Sequence, residues 1–277
     1  PGGNSRHTVY FPPYPVYAAR AEGARVTDVD GITRLDFINN YSSLIHGHCH
    51  PEVTAAIARQ AGQLTAISLP TEAEIELAEI ICERMPSVEQ IRFANSGTEG
   101  VMMAIKTARA YTGRRIIAKI EGAYHGSDDT AAVSTYPPPQ LLADPAEGKG
   151  IPETGTGPGT ASDVITLQMN DVEAGRALLR KHGAELAGVL IDPLVKNLAY
   201  QPASIEFLTM LREETRSLGA MLIFDEADSL LADRRGRRIR AGLTEAGVCR
   251  GGRGGDRGGG ERRGEGEADA HHQREHL

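Results

Sequence analysis

The sequence predicts an α/β fold in three layers, a mostly parallel sheet with helices on both faces, preceded by an N-terminal arm and a β-hairpin. Three observations carry this. From about residue 90, short β-rich runs alternate with helical stretches, the pattern of strands joined by crossover helices. Before that, a short alternating segment folds back on an Asp-Gly dipeptide. And 277 residues with 40% apolar side chains suffice for a sizeable core.

Residues 1–20, rich in Pro and Tyr, read as an extended arm. The segment from Ala24 to Phe37 alternates about Asp30-Gly31 and predicts the hairpin. Pro51 starts a helix that runs to about Gln63, because Pro suits a first helical turn. A second helix covers about Thr71–Arg84, with Thr71 and Glu74 spaced as a capping box. Strands are then expected at Gln90–Ala94, Arg115–Ile120, Val164–Gln168, Gly188–Ile191 and Met221–Phe224. Helices are expected at Val101–Tyr111, Val172–His182 and Ser204–Leu218. Residues 143–163 predict a long mobile loop. The organisation expected is an arm, hairpin and linking helix over 1–70, a partial large domain over 71–231, and an Arg/Gly-rich disordered tail over 232–277.

Composition narrows the function. No run of 18 apolar residues exists, so no membrane helix is expected. The start at Pro1 has no signal-peptide pattern and reads as a trimmed fragment. Cys49, Cys82 and Cys249 are scattered, which fits free thiols in a reducing cytoplasm. Residues 1–232 carry 19 basic and 29 acidic side chains, against nucleic-acid or anionic-membrane binding. Residues 233–277 carry 11 Arg, 8 acids and 12 Gly, with almost nothing to bury.

Three motifs carry chemistry. Asn95-Ser-Gly-Thr-Glu-Gly100 opens the third helix, where Gly97 lets a ligand approach and Ser96 and Thr98 offer hydroxyls beside exposed N–H groups. Taken alone, it also reads as an ordinary helix cap. Tyr124-His-Gly126 follows a strand and could lay an aromatic ring on a flat ligand, or simply be a turn with a buried Tyr. Asp225 ends an apolar strand, where ligands bind in open α/β sheets; an N-cap is the other reading. Together the three supply what pyridoxal 5'-phosphate (PLP) needs for its phosphate, its ring and its pyridine nitrogen.

In this order the motifs resemble the class III aminotransferases, PLP enzymes of fold type I, and most of all the glutamate-1-semialdehyde aminomutase-like branch. The likeness extends through Pro1-Gly-Gly-Asn-Ser5, Asp28-Val-Asp-Gly31, Leu35-Asp-Phe37, Gly47-His-Cys-His-Pro-Glu-Val53, Thr112-Gly-Arg114, Glu121-Gly-Ala-Tyr-His-Gly126, Gly150-Ile-Pro-Glu153 and Asn170-Asp171. The resemblance implies that Ser96, Gly97 and Thr98 hold the phosphate. It places Tyr124 on the ring with His125 beside it, Asn197 in contact with the cofactor, and Asp225 keeping the pyridine nitrogen protonated. It also implies amino-group transfer on a small amino-acid-like substrate and a homodimer, while the scattered cysteines are what point to a cytoplasmic location. His46, His48 and His50 become a structural turn near the substrate mouth, not a metal site.

Three departures stand out. Asp192-Pro-Leu194 replaces the family's Glu-Pro-Val, and Ala227 replaces the Val of Asp-Glu-Val. No lysine follows Lys196, although the family holds PLP as a Schiff base on a lysine some 25–30 residues beyond the aspartate. Arg cannot substitute, since its guanidinium stays protonated, and Lys196 lies in the wrong loop. The expectation is therefore a chain without a catalytic lysine and without useful turnover. Its residues from about 232 read as an out-of-frame stretch replacing the later strands and the small C-terminal domain. The dimer surface would then be left exposed and prone to aggregate. The alternative is a non-catalytic PLP- or partner-binding relic with an Arg/Gly tail. That tail could bind single-stranded nucleic acid, although no aromatic residue is interleaved with the Arg.

Overall fold

The computed structural model describes residues 10–229, apart from 42, 86, 142–144, 158 and 228. The residues around Asp30-Gly31 form a three-stranded antiparallel sheet of β1 (Ala18–Glu22), β2 (Arg25–Asp28) and β3 (Thr33–Leu35). Asp28 holds the turn: its Oδ1 accepts from the N–H groups of Asp30 (3.1 Å) and Ile32 (2.8 Å), and Arg34 pairs with its other oxygen. The arm expected over residues 1–20 supplies a strand at its end, because the outer edge of β2 has backbone groups that β1 can pair.

The His-rich turn docks on this sheet through two backbone bonds between Gly23 and His48, and His48 Nε2 lies 2.7 Å from Asp36 Oδ2. Helix α1 (Pro51–Ala61) starts with Pro in its first turn. Helix α2 (Glu72–Arg84) is capped by Thr71, whose side chain accepts from the Glu74 N–H. Neither helix buries a single residue.

Beyond these lies the α/β unit. In chain order it comprises α3 (Gly97–Thr112), β4 (Ile116–Ile120), α4 (Asp129–Ala132), β5 (Val164–Leu167), α5 (Val172–Lys181), β6 (Leu186–Ile191), a two-stranded ribbon of β7 (Leu194–Val195) and β8 (Gln201–Pro202), α6 (Ile205–Leu218) and β9 (Met221–Phe224). Four strands form one parallel sheet in the order β5-β4-β6-β9. The strand period of two divides its faces. Ile116, Ala118, Ile120, Val189 and Ile191 pack on Leu178 and Leu179 of α5 and on Phe207, Leu208 and Leu211 of α6. Ile117 and Leu190 face Val101 and Ile105 of α3, joined by Ala187 at the register irregularity where β6 begins. Helices thus cover both faces, the expected three layers.

Two expectations fail. Residues 90–94 form no strand: no described segment pairs with them, and Phe93 is exposed. A β-rich sequence without a partner leaves its backbone groups to water. Nor are the described parts of 143–163 detached: Lys149 bridges Ile165 on the outer edge of β5, and Ser134 bonds Ile151 through both backbone and hydroxyl. The tail of residues 232–277 lies outside the described residues. No described helix is long and apolar enough to cross a membrane.

Candidate functional site

The Ser96 motif forms the start of α3, four residues earlier than the periodicity suggests. Ser96 is the N-cap, with its hydroxyl accepting from Glu99 N–H at 3.2 Å, while Glu99 Oε2 accepts from Asn95 N–H at 2.8 Å. The helix-cap reading is therefore correct as far as it goes. It leaves Ser96 and Gly97 exposed at a helix N-terminus, where first-turn N–H groups lack intrahelical acceptors.

The Tyr-His-Gly segment is pressed against that terminus. A Cβ on Gly126 would lie 2.6 Å from Thr98 Oγ1 and 2.8 Å from Thr98 Cα, and φ is +94°, so only glycine fits. The N–H of Ser127 reaches Thr98 Oγ1 at 3.4 Å. Tyr124 is 47% exposed, against a buried-Tyr turn and in keeping with a ring that offers a face to a ligand.

His125 instead points inward. Its side chain is fully buried, and Nδ1 lies 2.8 Å from Asp225 Oδ2, 100 residues away in sequence. Burial pulls its pKa below the ordinary range, against the bond to Asp225, and the positive charge of Lys119 acts in the same direction as burial. A neutral imidazole with its proton on Nδ1 donates to Asp225 Oδ2. Nε2 of His125 is buried without a hydrogen-bond partner among the described residues. Asp225 also accepts from the Ala227 N–H at 3.2 Å, so it caps its own turn while facing the site.

Asn197 is not part of this cluster. It sits in the 3₁₀ turn Lys196–Leu198 and lines a neighbouring cleft of about 620 Å³ with Glu121, Gly122, Thr135 and Gln168. Lys196, in the same turn, lies 5.9 Å from the centre of the Tyr41 ring.

Two residues escape a reading of the sequence. Glu121, at the wall of that cleft, has a buried carboxylate oxygen without a partner among the described residues. Lys119, in the middle of the apolar strand β4, is fully buried and bonds backbone carbonyls. A lysine at an inward position of an apolar run is the one signal the sequence carries for it.

A family model described as aminotransferase class-III matches residues 8–231. A glutamate-1-semialdehyde 2,1-aminomutase of Chloroflexus aurantiacus is 40% identical over 232 residues, 84% of this chain and 50% of that protein. Among solved structures, an omega-transaminase from Sphaerobacter thermophilus is 48% identical, with a TM-score of 0.79 over 89% of this chain and 55% of its own. A transaminase with PLP bound is 47% identical, with a TM-score of 0.77 over 83% of this chain and 52% of its own. The chain spans about half the length of the curated relatives it matches. A match over residues 8–231, together with the α3, Gly126 and Asp225 arrangement, shows that the chain belongs to the class-III aminotransferase family.

Proposed function

We propose that this chain carries the cofactor-facing half of a PLP site for amino-group transfer, of the transaminase or glutamate-1-semialdehyde aminomutase kind. The observation that carries the reading is the convergence of the α3 N-terminus, the Gly126 loop and Asp225, through the Thr98–Gly126 and His125–Asp225 contacts. Its parts fit PLP: an exposed helix N-terminus with hydroxyls for a phosphate, a half-exposed aromatic ring, and a carboxylate at the end of a parallel strand. When bound, PLP supplies an electron sink for a substrate carbanion.

This chain's own residues bind and orient. Ser96, Gly97 and Thr98 hold the phosphate. Tyr124 offers its ring face to the pyridine. Asp225, oriented by His125, keeps the pyridine nitrogen protonated through a charge-assisted hydrogen bond. Asn197 serves from the adjoining cleft. The substrate class is a small amino acid or amino aldehyde. Names of relatives support both transaminase and aminomutase activities, and they do not divide them.

With no lysine after Lys196, the residues here supply no covalent anchor at the expected position and no amine base for the substrate α-carbon. PLP is held reversibly and turnover is absent. That lysine count also favours a second reading, a PLP- or partner-binding protein without catalysis. The exposed apolar side chains of α1 and α2, Val53 and Ile57 with Ile75 and Leu77, supply a surface for homodimerisation.

The test is titration of the full chain with PLP, followed by circular dichroism of the cofactor. Reversible binding is expected, and Asp225→Asn should weaken it by about tenfold or more, the loss of one charge-assisted contact. Borohydride reduction should trap no PLP on a unique lysine. Absence of binding overturns the cofactor site, and a single trapped lysine overturns the reversible mode.

A further inference from the structure

Lys119 is the least expected side chain in the sheet. It lies on β4 between Ala118 and Ile120, with no exposed surface, yet it ends in an amine. Its Nζ donates to the carbonyls of Ala123 (2.9 Å), Ala131 (2.8 Å) and Val133 (2.6 Å), with Thr135 Oγ1 at 3.4 Å. Three carbonyls match the three donors of an ammonium and exceed the two of a neutral amine.

The acceptors have a common location. Ala131 and Val133 belong to the end of the short helix α4, where the last carbonyls have no intrahelical partners. Ala123 lies directly before Tyr124. The segment 121–135 is therefore a loop that leaves β4 and returns to it, closed at its base by Gly122 N–H bonding the Ser134 carbonyl at 2.8 Å. The ammonium ties its start and its return to one point inside the protein. Hung on this loop are Tyr124, His125 and Gly126.

We propose that Lys119 is a positioning residue of the site: its sealed ammonium fastens both arms of the 121–135 loop and thereby sets Tyr124 and the His125–Asp225 pair. This role rests on the cofactor reading for its functional meaning, though not for its geometry. Burial pulls the Lys119 pKa down to about 7, while the fields of Glu121 and Glu153 favour the charged form. The three carbonyl dipoles also favour the charge. The remaining titratable neighbour is His125, with Asp225 behind it. A cation at Lys119 raises the cost of a second positive charge on His125, which keeps the imidazole neutral and its Nδ1 proton directed at Asp225.

The test uses Lys119→Met, which retains length and bulk without charge, and Leu179→Ala, a core truncation outside the loop, as a matched destabilised control. The imidazole of His125 is titrated by NMR in each full-length chain, and PLP is titrated in parallel. The expected result is a His125 pKa higher by about half a unit or more in Lys119→Met. PLP should bind about tenfold more weakly in that variant, with neither property changed in Leu179→Ala. An unchanged His125 pKa in Lys119→Met overturns the proposal, as does an equal shift in Leu179→Ala. If the wild-type chain binds no PLP, the cofactor reading falls, and the His125 titration still decides the role of Lys119. If Lys119→Met does not fold, the wild-type chain answers. The His125 and Gly126 signals should move with the midpoint of the Lys119 Nζ resonance, and signals indifferent to that midpoint refute the proposal.

Discussion

Every residue of β4, β5 and β6 is buried, whereas α1 and α2 together bury none. The helices are no less well formed: α1 has its Pro start and α2 its Thr71 cap. What they lack is a surface to pack on, since Val53, Ile57, Ile75 and Leu77 stand exposed. Caps and propensity settle where a helix begins. Packing of an apolar face supplies most of its stability. The sheet unit satisfies that requirement internally, and the N-terminal helices do not meet it among the described residues.

The contrast can be broken at its strongest point by Phe207→Ala. Phe207 is fully buried between α6 and the sheet, so truncation should cost about 3–5 kcal/mol, read as a lowered midpoint in urea unfolding. Next comes Gly126→Ala, whose Cβ meets Thr98 and whose φ of +94° resists a side chain. A loss of about 1–3 kcal/mol is expected, with PLP binding weakened because the loop is pushed off α3.

Glu214 tests the α5–α6 interface. It is buried and accepts from Arg176 (2.5 Å) and Arg180 (2.7 and 2.9 Å), which hold its pKa below the usual carboxylate value against the opposing effect of burial. Because the folded pKa is depressed, its contribution is full above the unfolded value of about 4.5 and is lost as pH falls through the folded one. Arg180 is largely exposed, so Glu214→Gln should cost only about 1–2 kcal/mol at neutral pH, and acid should erase the difference. Ser96→Ala removes an N-cap and should cost about 1 kcal/mol. At the other extreme, Ile57→Ser on α1 should leave urea stability of the isolated chain within about 0.5 kcal/mol. It should also reduce self-association in sedimentation, whereas a large stability loss would show that α1 is packed after all.

The same contrast explains what could be read from the sequence. Strands β4, β5, β6 and β9 appear at or within two residues of their expected places because each is an apolar run with a partner waiting. Residues 90–94 have the same β-rich character and form no strand, because pairing is a property of two segments and one segment does not encode it. In the site, Ser96, Thr98 and Gly126 are legible as motifs, and their contact is not. The His125–Asp225 bond spans 100 residues and follows from topology alone. Lys119 shows in the sequence only as a lysine inside an apolar run; its partners could not be foreseen, since they are carbonyls, which every residue possesses.

The two borders of the parallel sheet differ in kind. At β5 the backbone is already occupied: Lys149 bridges Ile165, and the Thr166 N–H bonds the Gly148 carbonyl at 2.9 Å. At β9, Met-Leu-Ile-Phe pairs only with β6 among the described strands and carries no charge or proline to repel a newcomer. The sheet is therefore a one-way template. Among the described strands the unpaired edge is that of β9, the strand leading into Asp225, so a strand docking there would at once clamp that carboxylate's backbone from its second side.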